Sequence, residues 1–496
     1  MRPITLFRLA TLSALLGFTA GVSAQTPDAP RVVVQTEADS LSTLDTTLGD
    51  IFGYAVDLSG ERALLGATAA DPAGESSGAA YVFRRTASGW VQESKLVPSD
   101  AAPGDYFGVS VALDGDRALV GGYHHDGERG AAYVFVRTEA GWTQEAKLPT
   151  GSAAGDNLGV SVALNGDRAV VGADKAGGAG AAYVFSRSEA GWTLDATLTA
   201  PDAEAGDAFG WSVDLSESHV AVGAYGRDGG RGAAYVFDLD GATWRHRATL
   251  TAPDAGAGDN LGIGVALDGD RLVAGAPFND EGGEDAGAAY VFDLDGTVPV
   301  KLTSPDGAEG DYFGWSVATR GGRALVGSRL DDSGVRNGGA AVLFMHTNAG
   351  WEPEAKLLGG TTASASAGVS VALGDTEALV GAPYHDRSRG IAHVFPLAQR
   401  SVATEAVPGV WLALGVAPNP VAGRARVSLD LPEATALRAT VHDLLGREVA
   451  VLADDAPYGP GTHALDLDAA RLGAGVYVLR VVAGAHAEAV RFTVAR

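Results

Sequence analysis

Cysteine is absent from all 496 residues, so the sequence excludes a disulfide framework. Basic residues are also scarce, because 36 lysines and arginines are set against 61 aspartates and glutamates and leave a formal net charge of −25. A surface of that sign repels nucleic acid and anionic membranes. We therefore expect no nucleic-acid partner, and the acidic surface suits either solubility in saline surroundings or binding of cations and basic partners.

Long apolar runs are confined to the N terminus. Arg2 and Arg8 accompany an apolar run at residues 9–22, and small residues ending at Ala24 precede Gln25. This pattern is typical of a secretory signal peptide at residues 1–24, cleaved between Ala24 and Gln25. The alternative, a membrane anchor, is disfavoured because the run is short and polar sequence follows it at once. We expect no transmembrane segment in the mature chain.

Glycine is abundant, with 69 residues, and part of it recurs at a fixed interval. Seven glycines, most of them preceded by phenylalanine or leucine, lie 51 to 55 residues apart. They are Gly53, Gly108, Gly159, Gly210, Gly262, Gly314 and Gly368. A period of this length with strand-like content and no helical stretch indicates repetition of a small sheet.

One copy of the repeat contains four predicted strands. In the second copy they cover residues 109–113, 117–122, 130–136 and 142–148, separated by turn residues and one longer polar loop. Four antiparallel strands per unit predict a propeller blade. The fold class is therefore all-β, with a seven-bladed β-propeller at residues 25–397.

The seventh copy lacks a fourth strand after Phe395. At the other end, residues 31–36 form a valine-rich strand that belongs to no copy. We predict that residues 31–36 become the outer strand of blade seven and tie the two ends of the repeat region together.

Three motifs in register resemble the FG-GAP repeat family, known from integrin α-chain heads. In the fourth copy they are GDAFG at residues 206–210, VGA at 222–224 and GAAYVF at 232–237. The resemblance spans about residues 31–397 and implies a seven-bladed propeller that serves as an extracellular binding or adhesion module.

Calcium is one point of departure from that family, many members of which carry a calcium loop between the first two strands. Here the corresponding turns are the three-residue segments 114–116, 165–167 and 268–270. Calcium takes six to eight oxygen ligands, and three hairpin residues cannot supply them. We predict no metal site in these turns and no cofactor.

The repeat stops after Leu397, and residues 398–412 are predicted to be a linker. Residues 413–496 contain PNP at 418–420, VHDLLGREV at 441–449 and LGAGVYV at 472–478. This ordered set resembles the C-terminal sorting domain of the type IX secretion system, a small β-sandwich. The resemblance implies that the secretion machinery is a partner and that the protein is secreted or displayed on the outer-membrane surface. An unrelated small β-sandwich is the alternative.

Two sets of aspartates recur from copy to copy. The first precedes the first strand and comprises Asp50, Asp105, Asp156, Asp207, Asp259 and Asp311, with Ala365 in the seventh copy. The second lies between strands two and three and comprises Asp71, Asp126, Asp228, Asp280, Asp332 and Asp386, with Asp174 displaced in the third copy. Both loops are expected on one face. Turn capping is the favoured role, and binding of a cation or polar ligand is the alternative.

Tryptophans fall into two groups. Trp90, Trp142, Trp192, Trp244 and Trp351 begin the outer strand and are expected to pack between strands. Trp211 and Trp315 follow the repeated glycine in two copies only and are the better candidates for a ligand platform. His124, His125 and His385 are interpreted as surface-loop residues.

Catalytic motifs are missing from the sequence: it contains no nucleophile elbow, phosphate loop or dinucleotide fingerprint. The favoured function is a non-catalytic binding or adhesion scaffold whose ligand is an extracellular protein or glycan. Its candidate binding residues are Trp211, Trp315, Asp126, Asp228, Asp280, Asp332 and Asp386. Two alternatives stay open: a propeller lyase or hydrolase acting on polysaccharide, whose carboxylate pair would be defined by geometry rather than spacing, and a structural envelope protein.

Overall fold

The computed structural model describes residues 33–398, apart from 36, 38, 44 and 150, and residues 413–495, apart from 418–420, 422, 432–434, 444–446, 460 and 484–485. The predicted signal peptide, its cleavage site at Ala24 and Gln25, and the linker beyond residue 398 lie outside the described residues. The chain divides into two compact units, Met1–Leu397 and Ala398–Arg496.

The first unit is built of seven sheets, numbered here in chain order, each with four antiparallel strands; a fifth, parallel strand at Val33–Gln35 joins sheet 6. Sheet 1 contains Phe52–Ser59, Arg62–Ala67, Ala79–Thr86 and Gly89–Leu96; sheet 2 contains Ser110–Asp114, Arg117–Gly122, Ala131–Thr138 and Gly141–Lys147. Sheet 3 contains Val162–Asn165, Arg168–Ala173, Ala181–Ser188 and Gly191–Leu198; sheet 4 contains Ser212–Leu215, His219–Ala224, Ala233–Asp240 and Thr243–Leu250. Sheet 5 contains Val265–Asp268, Arg271–Ala276, Ala288–Asp293 and Val300–Leu302; sheet 6 contains Phe313–Arg320, Arg323–Ser328, Ala340–Thr347 and Gly350–Leu358. Sheet 7 contains Ser370–Leu373, Glu377–Ala382, Ile391–Pro396 and Asp39–Leu41.

Short helical turns occupy the loop between the second and third strands of four sheets. They are His125–Glu128, Arg227–Gly230, His385–Ser388 and the 3-10 turn Ala176–Gly178. Sheets 1, 5 and 6 carry longer loops at the same place.

The inner strands of each sheet are apolar because both of their faces are covered. In sheet 1 the second strand is buried from Ala63 to Ala67, and the third begins with five buried residues. A continuous apolar run of this length, bounded by turns, is typical of a strand buried on both sides. The outer strand Gly89–Leu96 is half-exposed instead.

Successive sheets share their hydrophobic cores. Leu64 and Val82 of sheet 1 belong to one core with Phe107 and Val120, which lie at and in sheet 2. The same kind of core joins sheet 7 to sheet 1, with Leu379 packed among sheet 1 residues. The repeat is thus an all-β set of four-stranded sheets packed face to face, as in a propeller.

The N-terminal segment corrects one prediction. The described part of the predicted strand at residues 31–36 does not join sheet 7: Val33–Gln35 runs parallel to the outer strand of sheet 6, with Val34 opposite Lys356. The outer strand of sheet 7 is Asp39–Leu41, antiparallel to Ala392–Val394. The register of this strand places the Leu41 side chain in the core, where it is 1% exposed.

The second unit, described by itself, contains two packed sheets. One has three strands, in the order Ala413–Ala417, Arg424–Leu431 and Gly461–Asp468. The other has four, in the order Glu448–Tyr458, Thr435–Asp443, Gly475–Ala483 and His486–Val494. Leu429 of the first sheet and Leu479 of the second lie in one core, and a 3-10 turn forms at Ala469–Arg471. The PNP motif at 418–420 is outside the described residues.

Candidate binding site

The repeated glycine allows neighbouring sheets to approach closely. Gly108 has a φ of +93°, and a Cβ atom there would lie 2.5 Å from the carbonyl oxygen of Ala79 and 3.2 Å from the Cα atom of Gly66. Only glycine fits such a left-handed, crowded position. The next residue of each repeat is thereby placed at the inner end of its sheet.

Those seven next residues line one cavity of about 600 Å³. They are Tyr54, Val109, Val160, Trp211, Ile263, Trp315 and Val369. The rings come from sheets 1, 4 and 6 and the aliphatic side chains from the other four, so the two tryptophans singled out in the sequence share one cavity. A cavity of this size that combines aromatic and aliphatic side chains with polar groups is a candidate small-molecule site.

A second repeated position differs in chemistry from sheet to sheet, and three of its seven residues line the cavity. Two positions after the second-strand glycine, the sheets carry Thr68, Tyr123, Asp174, Tyr225, Pro277, Arg329 and Pro383. Tyr123, Asp174 and Tyr225 line the cavity. The Trp211 and Tyr225 rings meet edge to face with centroids 5.1 Å apart, and burial raises the pKa of Tyr225.

Arg329 occupies this position in sheet 6; it is not itself a lining residue, but it lies over the ring of Trp315, which lines the cavity. Its guanidinium carbon is 3.8 Å from the centroid of the Trp315 ring and 4.8 Å from that of Tyr312. Burial raises the pKa of Tyr54, and the positive charge of Arg329 opposes that shift. The sequence reading missed Tyr54, Tyr123, Tyr225 and Arg329, although aligning the repeats on the second-strand glycine places the last three in one column.

The first set of aspartates caps its own turns. In the segments that enter six sheets, the aspartate Oδ2 atom accepts a hydrogen bond from the backbone N–H of the residue three positions earlier. For example, the Glu204 backbone N–H donates to Asp207 Oδ2 at 2.8 Å. The equivalent aspartates are Asp50, Asp105, Asp156, Asp259 and Asp311. Asp207 is only 4% exposed. Burial raises the pKa of Asp311 to about 6.

The second set of aspartates divides by loop length. Asp71 and Asp280, in long loops, accept from the backbone N–H five residues later, at 2.7 and 2.9 Å; Asp332 does the same. Asp126, Asp228 and Asp386 occupy left-handed positions in the short helical turns, a conformation that aspartate tolerates. Each pairs with the arginine three residues later, at 3.1 to 3.3 Å. All of these aspartates stand outside the cavity lining.

The loops that carry the two aspartate sets contact each other, as expected for loops on one face. The Nδ1 atom of His125 lies 3.0 Å from Asp105 Oδ2 and its Nε2 atom 2.8 Å from Lys147 Nζ. His124 lines the cavity, and the His385 ring lies 6.4 Å from that of His393. Within the described residues, no group of three His, Asp or Glu side chains is placed to hold a metal ion.

Outer-strand tryptophans join neighbouring sheets. Trp142 Nε1 donates to Glu93 at 3.3 Å, and Arg137 Nε donates to the same carboxylate at 2.8 Å. Trp192 and Arg187 repeat this arrangement on Glu145. The hydrogen bonds lower the pKa of both glutamates, although burial acts in the opposite direction.

A second cavity, of about 610 Å³, is lined by residues from all seven sheets further along their first strands. Asp57 and Asp214 lie there, and burial raises the pKa of Asp57 to about 7 and that of Asp214 to about 6. Each carboxylate accepts a backbone N–H from the next sheet, from Leu113 and Leu267 respectively, at 2.6 Å. These bonds assign the two aspartates a role in joining sheets.

Comparison with protein families assigns both units. Six segments match the FG-GAP repeat, at residues 36–83, 90–135, 142–185, 192–237, 244–292 and 297–344, and together they cover more than half of the chain. Each runs from the outer strand of one sheet, or the segment before it, to the third strand of the next. The first includes Asp39–Leu41, and sheet 7 beyond that strand is not matched.

Residues 415–495 match the secretion system C-terminal sorting domain. No curated protein matches the chain. In the described part of the chain, no helix is long and apolar enough to cross a membrane. The chain therefore belongs to the FG-GAP repeat family and carries a type IX sorting domain, which assigns it to the cell surface or the exterior.

Proposed function

We propose that this protein is a non-catalytic binding scaffold whose seven sheets close into a seven-bladed propeller and whose aromatic cavity holds an extracellular ligand. The observation that carries the proposal is the cavity lined by Tyr54, Trp211 and Trp315. These three residues occupy a position that is aliphatic in the other four sheets, and a departure from the repeat is the expected mark of a binding site on a repetitive scaffold.

Closure of the ring is supported by bonds that recur between successive sheets. Ser110 Oγ donates to the Gly159 carbonyl at 2.8 Å, and sheets 3, 4 and 6 repeat this bond. Ser370 of sheet 7 donates to the Gly53 carbonyl of sheet 1 at 3.1 Å, and the Ile51 backbone N–H donates to Ser388 at 2.8 Å. Closure leaves no outer sheet unpartnered and gives the cavity a rigid wall.

A non-catalytic role is supported by how the carboxylates near the cavity are used. Asp174 is the cavity's own carboxylate; it is 6% exposed and accepts from Asn157 Nδ2 at 3.1 Å. Burial raises its pKa. The neighbouring aspartates of the first set cap turns, so a spaced pair of free carboxylates, which a glycosidase uses, is not among the described lining residues.

A combined screen separates this proposal from its two rivals. The full mature protein would be offered to arrays of extracellular glycans and proteins, and the same glycans would be assayed for released or shortened products. We expect retention of a ligand without product formation. Product formation would favour the polysaccharide enzyme, and the absence of both retention and products would favour a structural envelope protein.

A further inference from the structure

Arg329 is an exception to the charge pairing of this protein. In a chain with a net charge of −25, the half-buried arginines of the first unit pair with carboxylates or, at Arg168, with a backbone carbonyl. Arg329 is half-buried too, yet its Nε atom is buried without a hydrogen-bond partner. Within the described residues its guanidinium has no hydrogen-bond or ion-pair partner, and it lies over two aromatic rings.

An unpartnered guanidinium of this kind calls for an explanation. Buried donors are nearly always bonded, and an orphan donor costs free energy. Its guanidinium lies over the rings of Trp315 and Tyr312, an arrangement that arginine favours. A planar, preorganised set of donors matches a carboxylate, which accepts two parallel hydrogen bonds.

The cavity that Trp315 lines adds two restrictions on the ligand. It is lined by residues from all seven sheets and measures about 600 Å³, a volume that suits a ring-sized group. Its aromatic walls suit the apolar face of a ring. Lys175, exposed at the lining and without an ion-pair partner among the described residues, adds a second positive charge, and Asp174 adds one carboxylate held by Asn157.

We infer that the cavity recognises a terminal uronic acid of a glycan, with the sugar ring between the aromatic side chains and its carboxylate paired with Arg329. This rests on the proposed binding function and names its ligand class. A single terminal carboxylate is favoured over a polyuronate because the net charge of −25 repels polyanions at long range.

The test uses the full mature protein with D-glucuronate and D-galacturonate as probes and D-glucose and D-galactose as neutral matched sugars. Binding is followed by tryptophan fluorescence and by saturation-transfer NMR. We expect the uronates to bind more tightly than their neutral partners. Arg329→Gln should weaken uronate binding by about tenfold or more, since a charged hydrogen bond is lost, and should leave neutral sugars unchanged.

Arg336→Gln is the matched control, because Arg336 lies in the same loop, is exposed and changes the net charge equally. It should leave both sugar classes unaffected, and thermal melting should show both variants folded. Arg329→Lys should recover only part of the affinity, because lysine keeps the charge but not the planar fork.

Three outcomes would overturn the inference. The first is equal binding of uronates and neutral sugars, or uronate binding that survives Arg329→Gln. The second is the absence of uronate binding at millimolar concentration. The third is Arg329-dependent binding of a peptide with a free C-terminal carboxylate, but not of its amide, while uronates fail to bind. Ligand retention that depends on Trp211 but not Arg329 would leave the proposed binding function standing while removing its acidic ligand.

Discussion

Burial and hydrogen bonding distinguish the two sets of aspartates. Asp207 is 4% exposed and accepts the Glu204 backbone N–H, whereas Asp228 is exposed and pairs only with Arg231. The capped turn belongs to the segment that enters sheet 4. The repeated aspartates of the first set are therefore stability residues, and their recurrence reflects a turn that recurs.

Asp207→Ala is expected to lower the free energy of unfolding by about 1 kcal/mol, as for other side-chain caps. Asp228→Ala, which breaks an exposed ion pair, should change it by less than about 0.5 kcal/mol. Urea unfolding measures both. Asp280→Ala, in a long loop, should also lower the free energy of unfolding. None of the three substitutions should alter ligand capture. Loss of capture at unchanged stability in Asp207→Ala would contradict the capping role.

At the scale of elements, the outer strand of sheet 7 is among the shortest, with three residues. Asp39–Leu41 contributes three residues to sheet 7, and Leu41 lies in the core shared by sheets 7 and 1. Val34, in the strand that was expected to close the ring, is 59% exposed. The two positions therefore form a matched pair of apolar residues in neighbouring strands.

Leu41→Ala should cost about 2–5 kcal/mol, the range for a fully buried leucine. Val34→Ala should cost no more than about 0.5 kcal/mol, as for most surface substitutions. Chemical denaturation of the two variants and the parent protein measures the difference. If Val34→Ala proved the more damaging, residues 31–36 would be the closing strand after all.

Calcium is a second question at the scale of elements. The turn carboxylates Asp114 and Asp268 accept backbone N–H groups of the next sheet at 2.6 Å. Asp116 and Asp270 pair with Arg62 at 3.4 Å and His219 at 3.1 Å. Short turns whose carboxylates already have partners leave too few oxygens for calcium.

We expect the melting temperature to be the same with calcium and with a chelator, because a ligand stabilises a protein only by binding its folded state. Differential scanning calorimetry of the full mature protein checks this. A clear drop in the midpoint on chelation would reveal a calcium site.

The repeat itself was predictable from the sequence, because a glycine needed for close packing must recur wherever sheets meet. The four strands per copy were predictable for the same reason. The closing strand was assigned wrongly because residues 31–36 are rich in valine, a residue of high strand propensity. A better signal was spacing: Leu41 precedes Asp50 by nine residues, as Leu198 precedes Asp207.

The candidate site was only half predictable. Trp211 and Trp315 stand out because they interrupt a column of aliphatic residues. Arg329 does not stand out in the sequence. It is distinguished by the lack of a carboxylate partner, and ion pairing depends on which residues are neighbours in three dimensions. The second aspartate set illustrates the converse, because Asp126 and Asp386 recur in the sequence and yet pair locally with arginine outside the cavity.

At the scale of the whole molecule, the chain consists of two compact units. The second unit has a hydrophobic core of its own, which includes Leu429 and Leu479, and the family comparison assigns export to residues 415–495. Separate cores allow one unit to be removed without unfolding the other.

Removal of residues 413–496 should leave the repeat unit folded and retained in the periplasm. Cell fractionation locates the truncated protein, and circular dichroism with a melting curve confirms its fold. Arrival of the truncated protein at the surface or in the medium would contradict export through the sorting domain. Unfolding of the truncated protein would contradict the independence of the two units.

The central claim, that the aromatic cavity is the binding site, is tested most directly by ligand capture on Trp211→Ala. Trp244→Ala is the matched control, because Trp244 lies on an outer strand and packs against a sheet core. We predict that Trp211→Ala abolishes capture at a nearly unchanged melting temperature, while Trp244→Ala lowers the melting temperature and preserves capture by the folded protein. Undiminished capture by Trp211→Ala, measured on the same ligand under the same conditions, would contradict the claim.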